Sequence, residues 1–235
     1  MNPQGRAGTL RIREAICSAG RRLGAHGLIV AAEGNLSVRL AGGILLTSPT
    51  GRRKDELSPD DLSVVPLDPA VGPPPSGPRP SSDIAMHRAV YRARPDVVAI
   101  AHAHMPVAMA LSLAGEVPNP AVLPETALHF PVFPFVPYGA MGSEELAARI
   151  ASALASGEPP RPGAVLLERH GAVAVGTADT AGDDASAPGS AAIEAALIQA
   201  VDRLEIVDVL CRVWRDAVLL RSALGQTGAI RPAGG

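Results

Sequence analysis

Cysteine and runs of basic residues are scarce in this chain. Only two cysteines occur among 235 residues, Cys17 and Cys211, and each lies in an apolar pattern of helical spacing. A disulfide framework is therefore not expected, and a reducing compartment fits the chain better. The longest basic run is three residues, 52–54, and the formal net charge is -2, so nothing favours nucleic acid or an anionic membrane as a partner.

Long hydrophobic runs are also missing. Residues 1–6 lead into a charged amphipathic stretch without the apolar core of a signal peptide, and no run elsewhere is long enough to span a bilayer. We therefore expect a soluble cytoplasmic protein. Hydrophobic residues still make up 47% of the chain, which suffices for the core of one large domain or two small ones.

The most informative stretch is 97–106, in which apolar residues run into His102-Ala103-His104. In an extended strand, residues two apart project from the same face, so the two imidazoles stand side by side. Such a pair can chelate a metal; the alternative is two unrelated histidines at a strand end. A third histidine, His170, comes where a buried-strand run reaches Gly171.

Periodicity predicts the elements around these histidines. Helical spacing and capping residues indicate helices, whereas glycine turns and apolar runs indicate strands. The predicted helices cover about 10–23, 84–94, 106–113, 146–155 and 191–222, and the predicted strands about 32–40, 44–48, 63–67, 97–104 and 164–176, the last hinged at residues 170–171.

A proline-rich segment at 68–80 is compatible with an interdomain linker or a surface loop. We favour a loop, because the segments on either side each carry only part of a site. The chain is therefore expected to form a single domain over 1–235. Its termini, about 1–8 and 225–235, are expected to fray, and 177–190 is expected to be a mobile loop.

Three pairs of small residues could hold an oxyanion through backbone N–H groups and short polar side chains. Turn or capping chemistry explains each pair taken by itself. The pairs are Gly34 with Asn35, Thr50 with Gly51, and Ser81 with Ser82.

Together, the three histidines would supply the number of neutral ligands that a catalytic zinc needs if one position stays open for substrate. Such an ion can act as a Lewis acid on a carbonyl and a neighbouring hydroxyl and stabilise an enediolate. Asp83, at a predicted helix start beside two serines, is the candidate base. A sugar phosphate would have its anion bound by the small residues.

Three further residues are not assigned to the metal, the base or the anion site. His87, one turn beyond Asp83, is interpreted as structural or as a support for the site, with ligation as the alternative. Glu125 and His129 lie in the proline-rich stretch 117–137. Both could serve a site, but we interpret His129 as a buried or interface histidine.

In their order along the chain, these motifs resemble those of the class II aldolase/adducin family, which includes L-fuculose-1-phosphate aldolase and L-ribulose-5-phosphate 4-epimerase. The motifs cover 34–37, 47–51, 80–83, 102–104 and 170–171. The resemblance implies an α/β fold, a three-layer α/β/α sandwich with a mixed, largely antiparallel central sheet. It also implies a homotetramer with sites at subunit interfaces.

The resemblance further assigns the site. It implies acid/base work by Asp83 and a Zn²⁺ ion on three histidines, with Mn²⁺ or Co²⁺ as alternatives because imidazoles suit several ions. The implied metal ligands are His102, His104 and His170. The implied phosphate ligands are Gly34, Asn35, Thr50, Gly51, Ser81 and Ser82.

The implied activity is retro-aldol cleavage of a ketose phosphate to dihydroxyacetone phosphate and an aldehyde. A 4-epimerase, a non-catalytic adducin-like module, and a dehydratase or decarboxylase stay open as alternatives. Asp83 matches the epimerase, because the aldolases carry glutamate there. Both enzymes use a tyrosine near the C-terminus, but the only tyrosines here are Tyr91 and Tyr138. The sequence therefore identifies neither the protonating residue nor the sugar.

Overall fold

A computed structural model describes residues 3–178, 188–226 and 230. Its strands form one seven-stranded sheet, in the order β3-β2-β1-β4-β7-β6-β5. Neighbouring strands pair antiparallel, except for the parallel pair of β5 and β6. The strands are β1 Asn35–Leu40, β2 Ile44–Thr47, β3 Ser63–Pro66, β4 Val97–Ala103, β5 Phe135–Val136, β6 Ala164–Leu167 and β7 Gly171–Thr177.

Helices cover both faces of this sheet. They are α1 Pro3–Ala25, α2 Ile84–Ala93, α3 Pro106–Leu113, α4 Pro124–His129, α5 Glu144–Ala155 and α6 Ser190–Ala223. One apolar cluster joins α1, α3 and α6 to the sheet, and a second joins α2 and α5 to the opposite face. The predicted α/β sandwich with a mixed, largely antiparallel sheet is confirmed.

The central strands explain why the layers form. Along β7, Ala172 and Ala174 belong to the first apolar cluster, whereas Val173 and Val175 belong to the second. Successive side chains of a strand point to opposite faces, so an uninterrupted apolar run can serve two helical layers at once. The same reasoning accounts for β4, all seven residues of which are buried.

Several boundaries differ from the sequence predictions. The helix α1 begins at Pro3, seven residues before its predicted start; proline suits a first helical position, where its missing N–H costs no hydrogen bond. Strand β5 and helix α4 lie in 117–137, where no element was predicted, because proline obscured the short periodic runs.

The segment at 68–80 lies against the sheet edge. Ser76 pairs with Val64 of β3, and Pro80 pairs with Pro49. These bridges agree with a surface loop rather than a free linker. Most of the loop expected at 177–190 lies outside the described residues, as do residues 1–2, 227–229 and 231–235 of the two termini.

Neither cysteine forms a disulfide, and both are buried. No helix among the described residues combines the length and the apolar composition needed to cross a membrane. The apolar side of the long helix α6 packs on the sheet and on α1. Residues on this side, such as Leu197 and Leu204, are buried.

Candidate metal centre

Three elements bring the histidines together at one end of the central strands. His102 lies in β4, His104 follows that strand, and His170 lies in the turn between β6 and β7. Because β4 and β7 are antiparallel neighbours, with Ala103 opposite Ala172, the turn lies beside the end of β4. Gly171 makes this approach possible: its φ is +83°, and a Cβ there would lie 2.1 Å from the Ala103 carbonyl oxygen.

The three imidazoles form a compact cluster. Their ring centroids lie 4.9, 4.8 and 4.6 Å apart, and one candidate ligand atom from each residue falls within 4.8 Å of the others. Among the described residues, this is the one such group of three or more possible metal ligands.

The hydrogen bonds of His102 show which nitrogen is free. Its Nδ1–H donates to the Ala172 carbonyl at 2.9 Å, so Nε2 carries the lone pair. The Nε2 atoms of His102 and His170 are buried and have no hydrogen-bond partner among the described residues. Buried polar atoms are rarely left without a partner. A divalent cation in the cluster would satisfy both atoms.

Electrostatics keep the cluster neutral. Burial lowers the pKa of His102 well below its ordinary value, and the neighbouring His170 and His104 lower it further. Burial also lowers the pKa of His104 and His170; the charges of Glu33 and Asp83 oppose both shifts. Neutral imidazoles are the form that binds metal. The donor set therefore fits a divalent ion.

Glu33 is a neighbour that the sequence reasoning missed. One of its carboxylate oxygens, Oε2, lies 3.5 Å from the Nδ1 of His104, and its side chain is half exposed. Its position in the sequence could have indicated this. Glu33 directly precedes Gly34-Asn35, and this loop leads into β1, which pairs with the strand that carries His102.

Asp83 lines a narrow cleft together with His102 and His170. It is 6% exposed and precedes α2. Its Oδ2 accepts a hydrogen bond from the Nδ2 of Asn35 at 2.8 Å, whereas Oδ1 has no hydrogen-bond partner among the described residues. The structure thus places the candidate base beside the histidine cluster with one oxygen held and the other available.

A chain of buried side chains lies behind Asp83. Because the carboxylate accepts from Nδ2 of Asn35, the Oδ1 of that amide must accept from the Nε2–H of His87, at 2.5 Å. The Nδ1 of His87 then accepts from the hydroxyl of Ser37 at 2.6 Å, and Ser37 contacts the hydroxyl of Tyr91 at 2.8 Å. His87 lies outside the histidine cluster and supports Asp83 through Asn35.

The small-residue pairs converge near Asn35. The bridge between Pro49 and Pro80 brings the pair at residues 50–51 beside the pair at residues 81–82. Ser48 accepts from the N–H of Leu36, which ties the same loop to β1. Gly34 and Gly51 both have positive φ, +66° and +70°, which glycine adopts without steric cost.

Three of the anion candidates, Asn35, Thr50 and Ser81, are already partly used. Asn35 is 2% exposed and commits one amide N–H to Asp83, which leaves one N–H for a ligand. The hydroxyl of Ser81 accepts from the N–H of Asp83 at 3.2 Å. The backbone N–H of Thr50 donates to the carbonyl of Arg79 at 3.1 Å. These contacts order the loops that carry the anion candidates.

The structure does not bring Glu125 or His129 to this site. Both are exposed on α4, a single short helix, and neither belongs to the histidine cluster. Of the two interpretations of His129, the buried one is wrong, because the helical turn directs Thr126 inward and leaves His129 exposed; the interface one stays a prediction. Tyr91 is buried in the chain behind Asp83, whereas Tyr138 is 61% exposed.

Comparison with known proteins identifies the family to which the chain belongs. The family model described as "Class II Aldolase and Adducin N-terminal domain" matches residues 14–185. A 3-oxo-tetronate 4-phosphate decarboxylase from Cupriavidus necator is 34% identical over 69% of this chain and 73% of its own length. A 5-methylthioribulose-1-phosphate/5-deoxyribulose-1-phosphate aldolase from Escherichia coli is 30% identical over 71% and 74%.

The likeness extends to solved structures. The L-fuculose-1-phosphate aldolase from Thermus thermophilus is 31% identical and superposes with a TM-score of 0.73, covering 94% of this chain and 99% of that one. The resemblance stated from the motifs is thereby confirmed. This chain belongs to the class II aldolase and adducin family.

Proposed function

We propose that this chain is a metal-dependent lyase that breaks the bond between the α and β carbons of a carbonyl group in a phosphorylated sugar. The observation that carries the proposal is the histidine cluster, in which two buried ring nitrogens lack partners and Asp83 lies in the same cleft. Its relatives include lyases that act on such compounds, namely an aldolase and a decarboxylase.

We propose that His102, His104 and His170 hold the ion, with zinc as the first candidate. When bound, a divalent ion supplies Lewis-acid polarisation of a carbonyl and an adjacent hydroxyl oxygen. Three imidazole ligands suit zinc and leave one position open, although manganese or cobalt also accept such ligands.

The residues of the chain would then move protons and hold the anion. Asp83 takes a proton through Oδ1 from the substrate hydroxyl beyond the scissile bond, because Asn35 holds Oδ2. As that bond breaks, the aldehyde leaves and the electron pair stays on the carbonyl half, which takes up one proton from water, while Asp83 returns the proton it accepted to solvent. The phosphate is bound by Gly34, Asn35, Thr50, Gly51, Ser81 and Ser82.

Retro-aldol cleavage of a ketose phosphate is the first candidate reaction, because it requires a base such as Asp83. Decarboxylation of a 3-oxo acid phosphate is the second candidate. The decarboxylase from Cupriavidus necator, 34% identical to this chain, favours it. Both reactions leave an electron pair beside a carbonyl, so the same histidine cluster suits either one.

Two broader properties belong to the proposal. We propose a homotetramer with sites at the subunit interfaces, as the family resemblance implies; light scattering would give about four times the 24.0 kDa of one chain. We also propose a cytoplasmic location, because both cysteines are free and buried, as expected in a reducing compartment.

The test combines metal analysis with a substrate panel. The purified protein is expected to contain one divalent ion per chain and to release dihydroxyacetone phosphate from L-fuculose 1-phosphate or 5-deoxyribulose 1-phosphate. Carbon dioxide released from 3-oxo-tetronate 4-phosphate would favour the decarboxylase, and D-xylulose 5-phosphate formed from L-ribulose 5-phosphate would favour an epimerase. Absence of both metal and turnover would favour a non-catalytic adducin-like module.

A further inference from the structure

Lys54 is a buried cation between α1 and the loops of the candidate site. The residue is 2% exposed and begins the short turn Lys54–Glu56. Gly20 lets this turn approach α1, because a Cβ at residue 20 would lie 2.1 Å from the Lys54 carbonyl oxygen. Lys54 is the last residue of the longest basic run of the sequence, and such runs usually lie in solvent. Close packing of the turn on α1 buries it instead.

Its ammonium group ties two loops together. Nζ donates to the carbonyl of Ala32, two residues before Gly34, and to the carbonyl of Arg52 at 2.9 Å, one residue after Gly51. An ammonium group has three N–H donors. Two are used by these carbonyls, so one donor and the full positive charge remain between the loops.

The charge of Lys54 is not paired. Arg52 and Arg53 form ion pairs at the surface, with Asp61 and with Asp55 and Glu56. Lys54 forms no ion pair with any residue that the structure describes. Burial lowers the pKa of its ammonium group, and the charge of Asp83 opposes this shift without a direct contact. A buried, unpaired charge is unfavourable, and a bound anion would compensate it.

We propose that Lys54 positions the phosphate of the substrate: it joins the loops at Gly34 and Gly51 and supplies the positive charge that holds the dianion between them. The inference rests on the proposed function and adds to it a residue that no motif of the chain indicates. It differs from the proposed roles of His102 and Asp83, because Lys54 acts on the anion rather than on the reacting carbons.

Calorimetric titration with inorganic phosphate tests the inference. Lys54→Met removes both the charge and the donor, whereas Lys54→Gln removes the charge but keeps a donor for one carbonyl. Arg53→Met is the matched control, because it removes the same charge from the neighbouring exposed position. A repeat of each titration with EDTA separates phosphate held by the loops from phosphate held by a metal.

Both Lys54 variants are expected to bind phosphate about tenfold or more weakly than the wild type, with unchanged metal content and circular dichroism, while Arg53→Met stays within about twofold. Wild-type phosphate affinity in Lys54→Gln would overturn the inference. A fall in the metal content of the variants that matches the fall in their phosphate affinity would also overturn it. If Lys54→Met does not fold, Lys54→Gln against Arg53→Met decides.

The proposed function is judged separately, on wild-type metal content and turnover. A wild-type protein that binds metal and cleaves a sugar phosphate, beside a Lys54→Gln variant with intact phosphate affinity, would contradict the role of Lys54 alone. A wild-type protein that neither binds phosphate nor turns over any sugar phosphate would contradict both.

Discussion

At the scale of single residues, hydrogen bonding separates the roles of side chains that share one buried site. His102 uses Nδ1 to hold its ring against β7 and keeps Nε2 for a ligand. Asp83 uses Oδ2 to accept from Asn35 and keeps Oδ1 for a proton. Substitutions at the two positions should therefore have different consequences.

His102→Ala is expected to lose metal and turnover together, because it removes one of three ligands. Asp83→Asn is expected to keep metal and lose turnover by about 10²- to 10⁴-fold, since an amide accepts from Asn35 but cannot take a proton. Metal analysis and kcat measured on the same preparations check both outcomes. Full activity in Asp83→Asn would remove Asp83 from the mechanism.

His87 should make stability sensitive to acid. Burial lowers its pKa from 6.5 to about 4, against the opposing charge of Asp83. The unfolded chain therefore binds more protons than the folded one between these values, so stability falls as the pH drops from 6.5 towards 4. The contribution lost between pH 7 and pH 5 is about 2 kcal/mol.

Urea unfolding of metal-free protein at pH 7 and pH 5 measures this loss. His87→Gln, which keeps a donor for Asn35 but does not titrate, is expected to lose about 2 kcal/mol less than the wild type over that interval. An identical pH dependence in the two proteins would show that His87 does not titrate in this range.

At the scale of elements, the metal centre depends on how closely the turn between β6 and β7 meets the end of β4. Gly34 and Gly171 allow backbone contacts with this end, because a Cβ at either position would overlap a carbonyl of His102 or Ala103. The antiparallel register of β1 and β4 then places His102 opposite Asn35. Small residues thus determine the spacing of the ligands.

Gly171→Ala is expected to weaken metal affinity, because its Cβ would lie 2.1 Å from the Ala103 oxygen and push the turn away. Gly115→Ala is the matched control, with a similar φ of +77° but no atom within 4 Å of the added Cβ. Left-handed strain costs each variant about 1 kcal/mol of unfolding free energy. Metal titration should show a loss only in Gly171→Ala; equal affinities would contradict the steric argument.

At the scale of the whole molecule, one sheet supplies strands to both apolar layers, and the site combines residues from 33 to 171. We therefore propose that the chain is a single domain. Unfolding is expected to occur in one transition, because β4 and β7 contribute to both apolar clusters. Fluorescence of Trp214, the only tryptophan, and far-ultraviolet circular dichroism should change together. Two separate transitions would favour two domains.

The sequence by itself predicted the histidine pair at the end of β4, the third histidine at a glycine turn and Asp83 as the candidate base, whereas the layer architecture was predicted from the resemblance of its motifs to a known family. The two-residue period of a strand and the glycines at turns are short-range patterns, whereas the resemblance depends on the order of motifs between residues 34 and 171. Local propensity did not predict β5 or α4, because prolines interrupt the pattern there; β5 forms by pairing with β6, and α4 packs against α6.

Only the tertiary structure decided which atoms of the site are free and which are held. The contacts of Asn35 with Asp83 and His87 join positions about 50 residues apart. Lys54 became a buried cation through contacts with Ala32 and with α1, which no local pattern encodes. Hydrogen bonding and burial depend on neighbours distant in sequence, so residue types can identify a candidate metal ligand or base, but folding determines its partners.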